Sequence, residues 1–491
     1  MPQTTVSRWL PKDRAAVDRF VGRYFERSRL IHGRIPKTGA RFAEAGEKLE
    51  TALNRSGIDF DPRQLRCHYR VVGGDRQIVC TIRNLDDIVL DFLDFIEKEP
   101  VVRDAFNAMF EQAPPPTPGT GEAEIKDYRD LLEMFDTILT TAPSHGGDSA
   151  SEMAASVPFY AVISRFCNTP AGYVAFTHPG VNKKLYRLFM KWNEFLTSPA
   201  SKRVIHDGVG GWLSAEALSE IVEYAGGDPT QQSFEHFYIC DTSDPHYGYK
   251  SYDDFFVREL KAVHRAVVHP DDPAIVNSAC SSTVDRFYQD LKKTERFWLK
   301  NTPYSLNHML AGDEFVDQFV GGSLIQAMLA SLDYHRWRSP VNGTVVKTRL
   351  IAGMNHPNQP PPTYFAGRWD DELDPDVITR SQDFVTAISS RALIFIQAEE
   401  PVGLMCFVGV GLCEVSTCEI TVREGQKLKK GDQLGMFHFG GSTHCLVFRG
   451  GLTVTPIPQP GKDDDGNAIE VPLVGSKVRV GKDILTVAKT A

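Results

Sequence analysis

The spacing of the hydrophobic residues changes once along the chain, close to the turn sequence Gly226-Gly227-Asp228-Pro229. Before this turn, apolar residues recur every three or four positions, which is typical of amphipathic helices. After it, short apolar runs alternate with Gly, Pro and Asn turns, which is typical of strands. The 491 residues are also too many for one ordinary core. We therefore predict an α+β protein, with a mainly helical N-terminal domain over 1–235 and a β-rich domain over 240–491.

The same patterns place the individual elements. Helices are predicted at 13–30, at 85–110 with an interruption at Pro100, and at 128–139, 157–167, 185–196 and 213–224. A short aromatic-rich helix is predicted at 249–260, and a Pro- and aromatic-rich loop at 355–369. Strands are predicted at 274–277, 283–288, 343–350, 391–397, 404–410, 418–422 and 443–448.

Composition excludes several classes of function. The net charge of -9 argues against a nucleic-acid partner, and no basic cluster suggests an anionic membrane surface. No apolar run approaches the roughly 20 residues that span a bilayer, and the first residues do not resemble a signal peptide. The nine cysteines are scattered without a Cys-x-x-Cys pair, so neither disulfides nor a metal site are predicted. A cytoplasmic protein is expected.

One segment near the C-terminus could carry chemistry. Gly435 to Thr443 places Ser442 directly after Gly440-Gly441, with a polar strand before the glycines and an apolar strand after them. Glycines allow strained backbone conformations, so the Ser442 hydroxyl could attack the preceding carbonyl and convert the amide to an ester. Elimination and hydrolysis would leave a pyruvoyl group, an electrophile for a substrate amine. The simpler alternative is a β-hairpin with a Gly-Gly-Ser turn.

A second segment, Asp333 to Val345, sets His335 among aromatic and cationic residues and then turns into a strand. Histidine is the usual general acid or base near neutral pH. A histidine between Tyr334 and Trp337 is, on this pattern alone, more often a hydrogen-bonded structural residue than a catalyst.

Four segments, in order and in register, resemble the pyruvoyl-dependent phosphatidylserine decarboxylases. They are Lys250 to Leu260, Val276 to Thr283, Tyr334 to Gly343, and the Gly-Ser pair at Ser442. The likeness covers roughly residues 245–450. Met436 to Ser442 and Tyr334 to Trp337 look most like the soluble fungal L-tryptophan decarboxylase branch of this superfamily. So does the long helical N-terminal domain, which takes the place of a membrane-anchoring segment.

The resemblance implies a reaction and its residues. Self-cleavage between Gly441 and Ser442 would turn one precursor into a large subunit, 1–441, and a small subunit, 442–491, that begins with a pyruvoyl group. His335 would hold or protonate the carbanionic intermediate, and Gly441 would help to stabilise the oxyanion of the rearrangement. No lysine stands in a recognisable PLP-binding context. The substrate would be a small-molecule amino acid, in a pocket for which the candidate residues are Tyr334, Trp337, Tyr364, Phe365 and Trp369.

The sequence departs from the family pattern at two processing positions. Arg338 stands where the family has a histidine, and arginine is not a base at neutral pH. Cys280 stands where the family has an aspartate. The tryptophan decarboxylase branch resembles this chain in having a cysteine at that position. Another base would then activate Ser442, and the candidates are His335, His438, His444 and Glu414.

Three functions remain open at this point. The first is a pyruvoyl-dependent decarboxylase of a free amino acid, tryptophan or a related aromatic one, and we favour it because the serine corner and His335 are intact. The second is a phosphatidylserine decarboxylase, which makes phosphatidylethanolamine. The third is an uncleaved relative that keeps the fold and has no enzymatic activity.

Overall fold

The computed structural model describes residues 15, 17–22, 65–72, 75–82, 85–115, 125–145, 157–167, 169–294, 305–351, 390–411, 417–438, 442–462 and 467–490. The backbone alone is described over 65–72 and 75–82. Within these ranges, none of the helices is long and apolar enough to cross a membrane.

Helices dominate the first part of the described chain. They are α1 Asp87–Lys98, α2 Pro100–Gln112, α3 Tyr128–Leu139, α4 Pro158–Cys167, α5 Pro170–Thr177, α6 Pro179–Leu196, α7 Ala215–Tyr224, α8 Phe234–Phe237 and α9 Tyr252–Phe256. A hairpin that the sequence patterns did not predict, β1 Leu65–Val72 with β2 Asp75–Ile82, precedes them.

Local signals explain where these helices begin. The Asp86 carboxylate accepts a hydrogen bond from the Ile88 amide at 3.0 Å and caps α1. Pro100 is the first residue of α2, where its missing N–H costs nothing, and so the predicted interruption is confirmed. Asp127 caps α3 by accepting from the amides of Arg129 and Asp130. The apolar faces of these helices share one core.

The later part of the chain is β-rich, with short helices α10 Leu306–Met309 and α11 Val316–Phe319. The strands up to the serine corner are β3 Ile275–Asn277, β4 Ser282–Gln289, β5 Ser323–Leu329, β6 Arg336–Arg338, β7 Gly343–Ile351, β8 Arg391–Ala398, β9 Leu404–Gly411, β10 Thr417–Ile420, β11 Lys427–Leu428 and β12 Gln433–His438. Those from the corner onwards are β13 Ser442–Phe448, β14 Leu452–Pro456, β15 Gln459–Lys462, β16 Ala468–Val471, β17 Lys477–Val478 and β18 Asp483–Lys489. The predicted α+β class is confirmed.

The sheets are antiparallel. The largest has eight strands in the order β11-β7-β8-β9-β13-β5-β4-β17, and a three-stranded sheet has the order β10-β12-β6. A second three-stranded sheet joins β14, β18 and β3. Strand β13 lies inside the large sheet, hydrogen-bonded to β9 on one side and β5 on the other, and all seven of its residues are buried.

The corner before Ser442 is not a hairpin. Strand β12 ends at His438 and pairs with β10 and β6, whereas β13 begins at Ser442 and pairs with β9 and β5. The short segment 439–441 therefore connects two different sheets. The hairpin alternative for the Gly-Gly-Ser corner is wrong, because each strand takes its hydrogen-bond partners elsewhere.

The helical core continues into the β-rich part. Leu332, Tyr334, Met436 and Val480 belong to the same buried cluster as the helices α1 to α9. Helical residues thus pack directly behind the segment that carries His335. The division into two domains, with the boundary near 235–240, remains a prediction.

Candidate active site

Ser442 opens the central strand of the large sheet. It lies between Leu329, the last residue of β5, and Gly411, the last residue of β9. Its side chain is fully buried, and its Oγ has no hydrogen-bond partner among the described residues. A buried hydroxyl without a partner costs free energy, which singles out this serine from an ordinary strand residue. Gly441 lies outside the described residues, so cleavage at its junction with Ser442 stays a prediction.

His335 lies close to the end of the strand that leads into the corner. Its carbonyl accepts a hydrogen bond of 3.0 Å from the amide of Phe437, which is five residues before Ser442. The imidazole is fully buried and stacks on the ring of Phe256, with centroids 4.1 Å apart. The structure therefore brings the predicted histidine to the strand that precedes the predicted cleavage point.

The residues just after α9 hold the segment around His335. The buried Arg258 guanidinium donates to the carbonyl of Leu332 at 2.6 Å. Arg336 donates from Nε to the carbonyl of Val257 at 2.7 Å. Both hydrogen bonds carry a formal charge, which makes them stronger than neutral ones. His335 is thus fixed from both sides by one short stretch, which the aromatic-rich pattern had located without revealing this role.

Arg338 has a structural role, because its side chain holds neighbouring residues through hydrogen bonds. Its guanidinium donates to the Tyr334 hydroxyl at 2.7 Å and to the Glu259 carboxylate at 3.4 Å. The ring of Tyr334 is 1% exposed and is buried in the core formed by the helices. A guanidinium in this setting keeps its proton, so Arg338 does not serve as a base.

Cys280 is brought close to Arg338 by the backbone, because the Arg338 amide donates to the carbonyl of Ala279 at 2.8 Å. The thiol is fully buried. Burial, followed by the nearby charge of Asp333, raises its pKa well above the usual range. Cys280 is therefore protonated at neutral pH and cannot accept a proton from Ser442.

His438, the last residue of β12, lies between two carboxylates. Its Nδ1 is 2.8 Å from the Asp253 carboxylate and its Nε2 is 2.9 Å from that of Glu419. Burial alone lowers the pKa of His438, but the two acidic partners outweigh it and leave the pKa raised. With both ring nitrogens engaged by carboxylates, His438 is poorly suited to act as a base.

His444 is the opposite case. It lies two residues after Ser442 on β13 and stacks on Phe407, with centroids 5.7 Å apart. Its Nδ1 is buried without a hydrogen-bond partner among the described residues. Burial lowers the pKa of His444 to about 3, so the ring is neutral across the physiological range. Glu414, the remaining candidate base, lies outside the described residues.

Trp337 fills the space between the large sheet and the β10-β12-β6 sheet. It is fully buried and packs against Phe407 and Phe437, at 5.1 and 4.7 Å between centroids. A Cβ at Gly409 would lie 3.0 Å from its ring and one at Gly435 would lie 2.7 Å away, so both strands carry glycine where the indole crosses. Its predicted contact with substrate remains a prediction. Tyr364, Phe365 and Trp369 lie outside the described residues.

Asp333 is a buried charge that the sequence patterns did not single out. Its carboxylate accepts from the Ala330 amide at 2.8 Å, one residue beyond the partner of Ser442. It also lies 3.2 Å from Lys477 of β17, whose ammonium sits over the Tyr224 ring of α7. Burial raises the pKa of Asp333, against the opposing influence of Lys477. The only sequence signal that could have pointed to this buried charge is an acidic residue directly before the aromatic segment that begins at Tyr334.

A metal centre finds no donors in the part of the chain that the structure describes, where no group of three His, Cys, Asp or Glu side chains could hold an ion.

Comparison with known proteins gives two matches to family models, both described as phosphatidylserine decarboxylase, at residues 86–221 and 252–486. A protein named decarboxylase iboD, from Amanita muscaria, is 40% identical over 60% of this chain and 83% of its own length. An L-tryptophan decarboxylase from Psilocybe cubensis is 36% identical over 74% of this chain and 80% of its own. Phosphatidylserine decarboxylase proenzyme 3 of Schizosaccharomyces pombe is 32% identical over 42% of this chain and 19% of its own.

Proposed function

Because the chain belongs to the phosphatidylserine decarboxylase family and is therefore a decarboxylase, we propose that it releases carbon dioxide from a free amino acid by means of a pyruvoyl group formed from Ser442. The observation that carries this proposal is the position of Ser442: a buried, unpartnered serine at the first position of a central strand, directly after two glycines.

The residues present fit a pyruvoyl group at this place. After cleavage, residue 442 would be a chain terminus held by β5 and β9 on both sides, so its carbonyl carbon would have a fixed position. A pyruvoyl group supplies an electron sink for the charge that is left as carbon dioxide departs. It has no hydroxyl, so it removes the buried hydroxyl that lacks a partner in the precursor.

The proposed roles of the chain's own residues follow from their positions. His335 donates the proton that replaces the carboxylate on the α-carbon, and Phe256 holds its ring in place. The face of β13 that carries Ser442 and His444 packs against Phe407, which contacts Trp337, and Trp337 in turn contacts Phe437. A carboxylate placed near such apolar side chains loses its hydration, which favours its loss as neutral carbon dioxide.

We propose an aromatic amino acid, and tryptophan first, as the substrate. The support is the L-tryptophan decarboxylase similarity, which extends over 80% of that enzyme. The family name favours phosphatidylserine as the second candidate, and the similarity to the Schizosaccharomyces pombe proenzyme covers 19% of that protein.

The test combines intact mass with an activity assay on the full chain. We expect denaturing mass spectrometry to show 1–441 and a fragment 442–491 that begins with pyruvoyl, and the same preparation to release tryptamine from tryptophan. Ser442→Ala should stay whole and inactive. Ser323→Ala is the matched control, because Ser323 pairs with Phe448 at the opposite end of β13.

Three results would change the proposal. Tryptamine formation by Ser442→Ala would show that no pyruvoyl group from Ser442 is needed. Release of phosphatidylethanolamine from phosphatidylserine vesicles, without activity on any free amino acid, would replace the proposed substrate. An intact wild-type chain without activity would support the uncleaved relative instead.

A further inference from the structure

Self-cleavage at Ser442 needs a group that accepts the hydroxyl proton. Among the described residues around the corner, the Cys280 thiol is held protonated and the Arg338 guanidinium keeps its charge. His438 is engaged at both nitrogens by carboxylates. The thiol and the guanidinium therefore cannot take a proton at neutral pH, and the two carboxylates raise the pKa of His438 and occupy both of its ring nitrogens.

His444 lies on the same face of β13 as Ser442. Side chains two residues apart in a strand point to one side of the sheet, and their Cα atoms lie about 6.6 Å apart. On this face the Ser442 Oγ and the His444 Nδ1 are both buried, and neither has a hydrogen-bond partner among the described residues. Two unsatisfied polar atoms at this spacing can meet after a change of side-chain rotamer.

The residues around His444 leave its imidazole available to the Ser442 hydroxyl. Its neighbours on the adjacent strands are Gly409 and Ala327, which carry no polar side chain, and Phe407 covers the ring. The ionisable residues of the cluster around this face are Cys418 of β10 and Cys280 before β4. The residues that flank Trp337, Arg336 and Arg338, donate instead to Val257 and Tyr334. Burial raises the pKa of Cys418 to about 12, so that thiol adds no charge.

We propose that His444 is the proton acceptor for Ser442 in self-cleavage. This inference rests on the proposed function. As the Oγ–C bond to the Gly441 carbonyl forms, the hydroxyl proton moves to Nδ1 of His444, which must be the Nε2–H tautomer. As the C–N bond breaks, the same proton passes to the departing amine of Ser442. The ester results and His444 returns to its neutral form, so no oxidant or co-reactant is required.

A weakly basic imidazole is adequate for this step. The neutral form is fully populated at any physiological pH, because burial holds the pKa of His444 at about 3. Weak basicity slows each transfer, but every molecule is cleaved only once, so a slow reaction is sufficient. The same burial has a measurable consequence, since the rate of cleavage should not depend on protonation of this base above about pH 5.

The test is the rate of self-cleavage in the full chain, made by cell-free synthesis and shifted to buffers between pH 5 and pH 8.5. Wild type should show no loss of rate towards pH 5. His444→Phe, which keeps a ring against Phe407, should be slower by about 100-fold or more. Cys445→Ala changes the next residue of β13, whose side chain points to the opposite face of the sheet, so it should cleave within a few-fold of wild type.

Hydroxylamine separates a chemical role from a structural one. Hydroxylamine attacks esters, so wild type treated with it should yield a 1–441 fragment that ends in a hydroxamate. His444→Phe should yield no such fragment. Its urea unfolding midpoint should stay close to that of wild type, which shows that the variant is folded. Cleavage of His444→Phe at the wild-type rate would overturn the inference and leave the proposed function standing. So would a wild-type rate that falls with a midpoint near pH 6 to 7. An intact wild-type chain would overturn both.

Discussion

The ring of Phe256 lies against the imidazole of His335, with centroids 4.1 Å apart and planes 29° from parallel. Phe256 ends the short helix whose following residues hold the His335 segment: the Val257 carbonyl accepts from the Arg336 side chain, and the Arg258 guanidinium donates to the Leu332 carbonyl. One stretch of chain therefore sets both the position of the histidine and the plane of its ring.

Replacing Phe256 by leucine should lower kcat about 10-fold with little change in KM, because the imidazole loses its fixed orientation while the substrate contacts remain. Steady-state decarboxylation kinetics measure both constants. Tyr252→Phe is the control on the same helix, since its buried hydroxyl has no partner among the described residues. An unchanged kcat for Phe256→Leu would show that the stacking does not position His335.

Removing Lys477 should destabilise the protein by about 1–2 kcal/mol at pH 8, because Asp333 is left as a buried charge; the cost stays below that of a fully buried pair since Lys477 is partly exposed. Burial raises the pKa of Asp333, so the carboxyl becomes protonated as the pH falls and the cost of Lys477→Met should shrink. Urea unfolding at pH 8 and pH 5 measures the difference.

The matched control for Lys477→Met is Lys489→Met on the same C-terminal segment. Lys489 pairs with Glu400 at the surface, where ion pairs contribute little, so its loss should change stability by less than about 0.5 kcal/mol. Asp333→Asn should recover most of the stability that Lys477→Met loses. A cost for Lys477→Met that does not depend on pH would argue against the ion pair as its cause.

His438→Gln should lower stability by about 1–2 kcal/mol at pH 6, since the charged imidazole donates to two carboxylates there. The pKa of His438 is raised above its usual range, so this contribution is fully present below about pH 6.5 and is lost as the pH rises through the raised value. Unfolding of wild type and variant at pH 6 and pH 9 should therefore show a difference that narrows at pH 9. A difference that widens would contradict the sign of this linkage.

Gly435→Ala should destabilise the protein by about 1–3 kcal/mol, because the new methyl group would lie 2.7 Å from the Trp337 ring and 2.1 Å from the Glu419 carbonyl. The urea unfolding midpoint is the measurement. Gly208→Ala is the comparison, since its only close neighbour is the His206 side chain at 3.1 Å on the surface. Equal midpoints for the two variants would mean that the sheets can move apart around the indole.

Much of the fold could be predicted from local sequence patterns, and the elements that were predicted wrongly have identifiable physical causes. The helix at Tyr128–Leu139 matches its prediction because an aspartate cap and a clear apolar face mark it. Strand Ser323–Leu329 was missed because it is buried on both faces and shows no alternation. The short helix α9 is less than half as long as its predicted range, since the residues that follow it bind the His335 segment instead of continuing the helix.

The site was only partly accessible from sequence. Ser442 and His335 stood out through their motifs, but the partners of His438 lie 185 and 19 residues away along the chain. Burial of His444 and Asp333 also depends on distant strands and helices, so their altered pKa values could not be read from neighbouring residues. Long-range packing, which has no local signature, decides these properties.

The placement of β13 inside the large sheet bears on the lifetime of the proposed enzyme. A group formed at residue 442 would belong to a strand with a hydrogen-bonded neighbour on each side, and Lys477 further along the same fragment would tie it to Asp333. Such a group could be neither exchanged nor replenished from outside, as a diffusible coenzyme can. Chemical damage at that one position would therefore inactivate the whole molecule permanently, and the cell could restore activity only by synthesising a new chain.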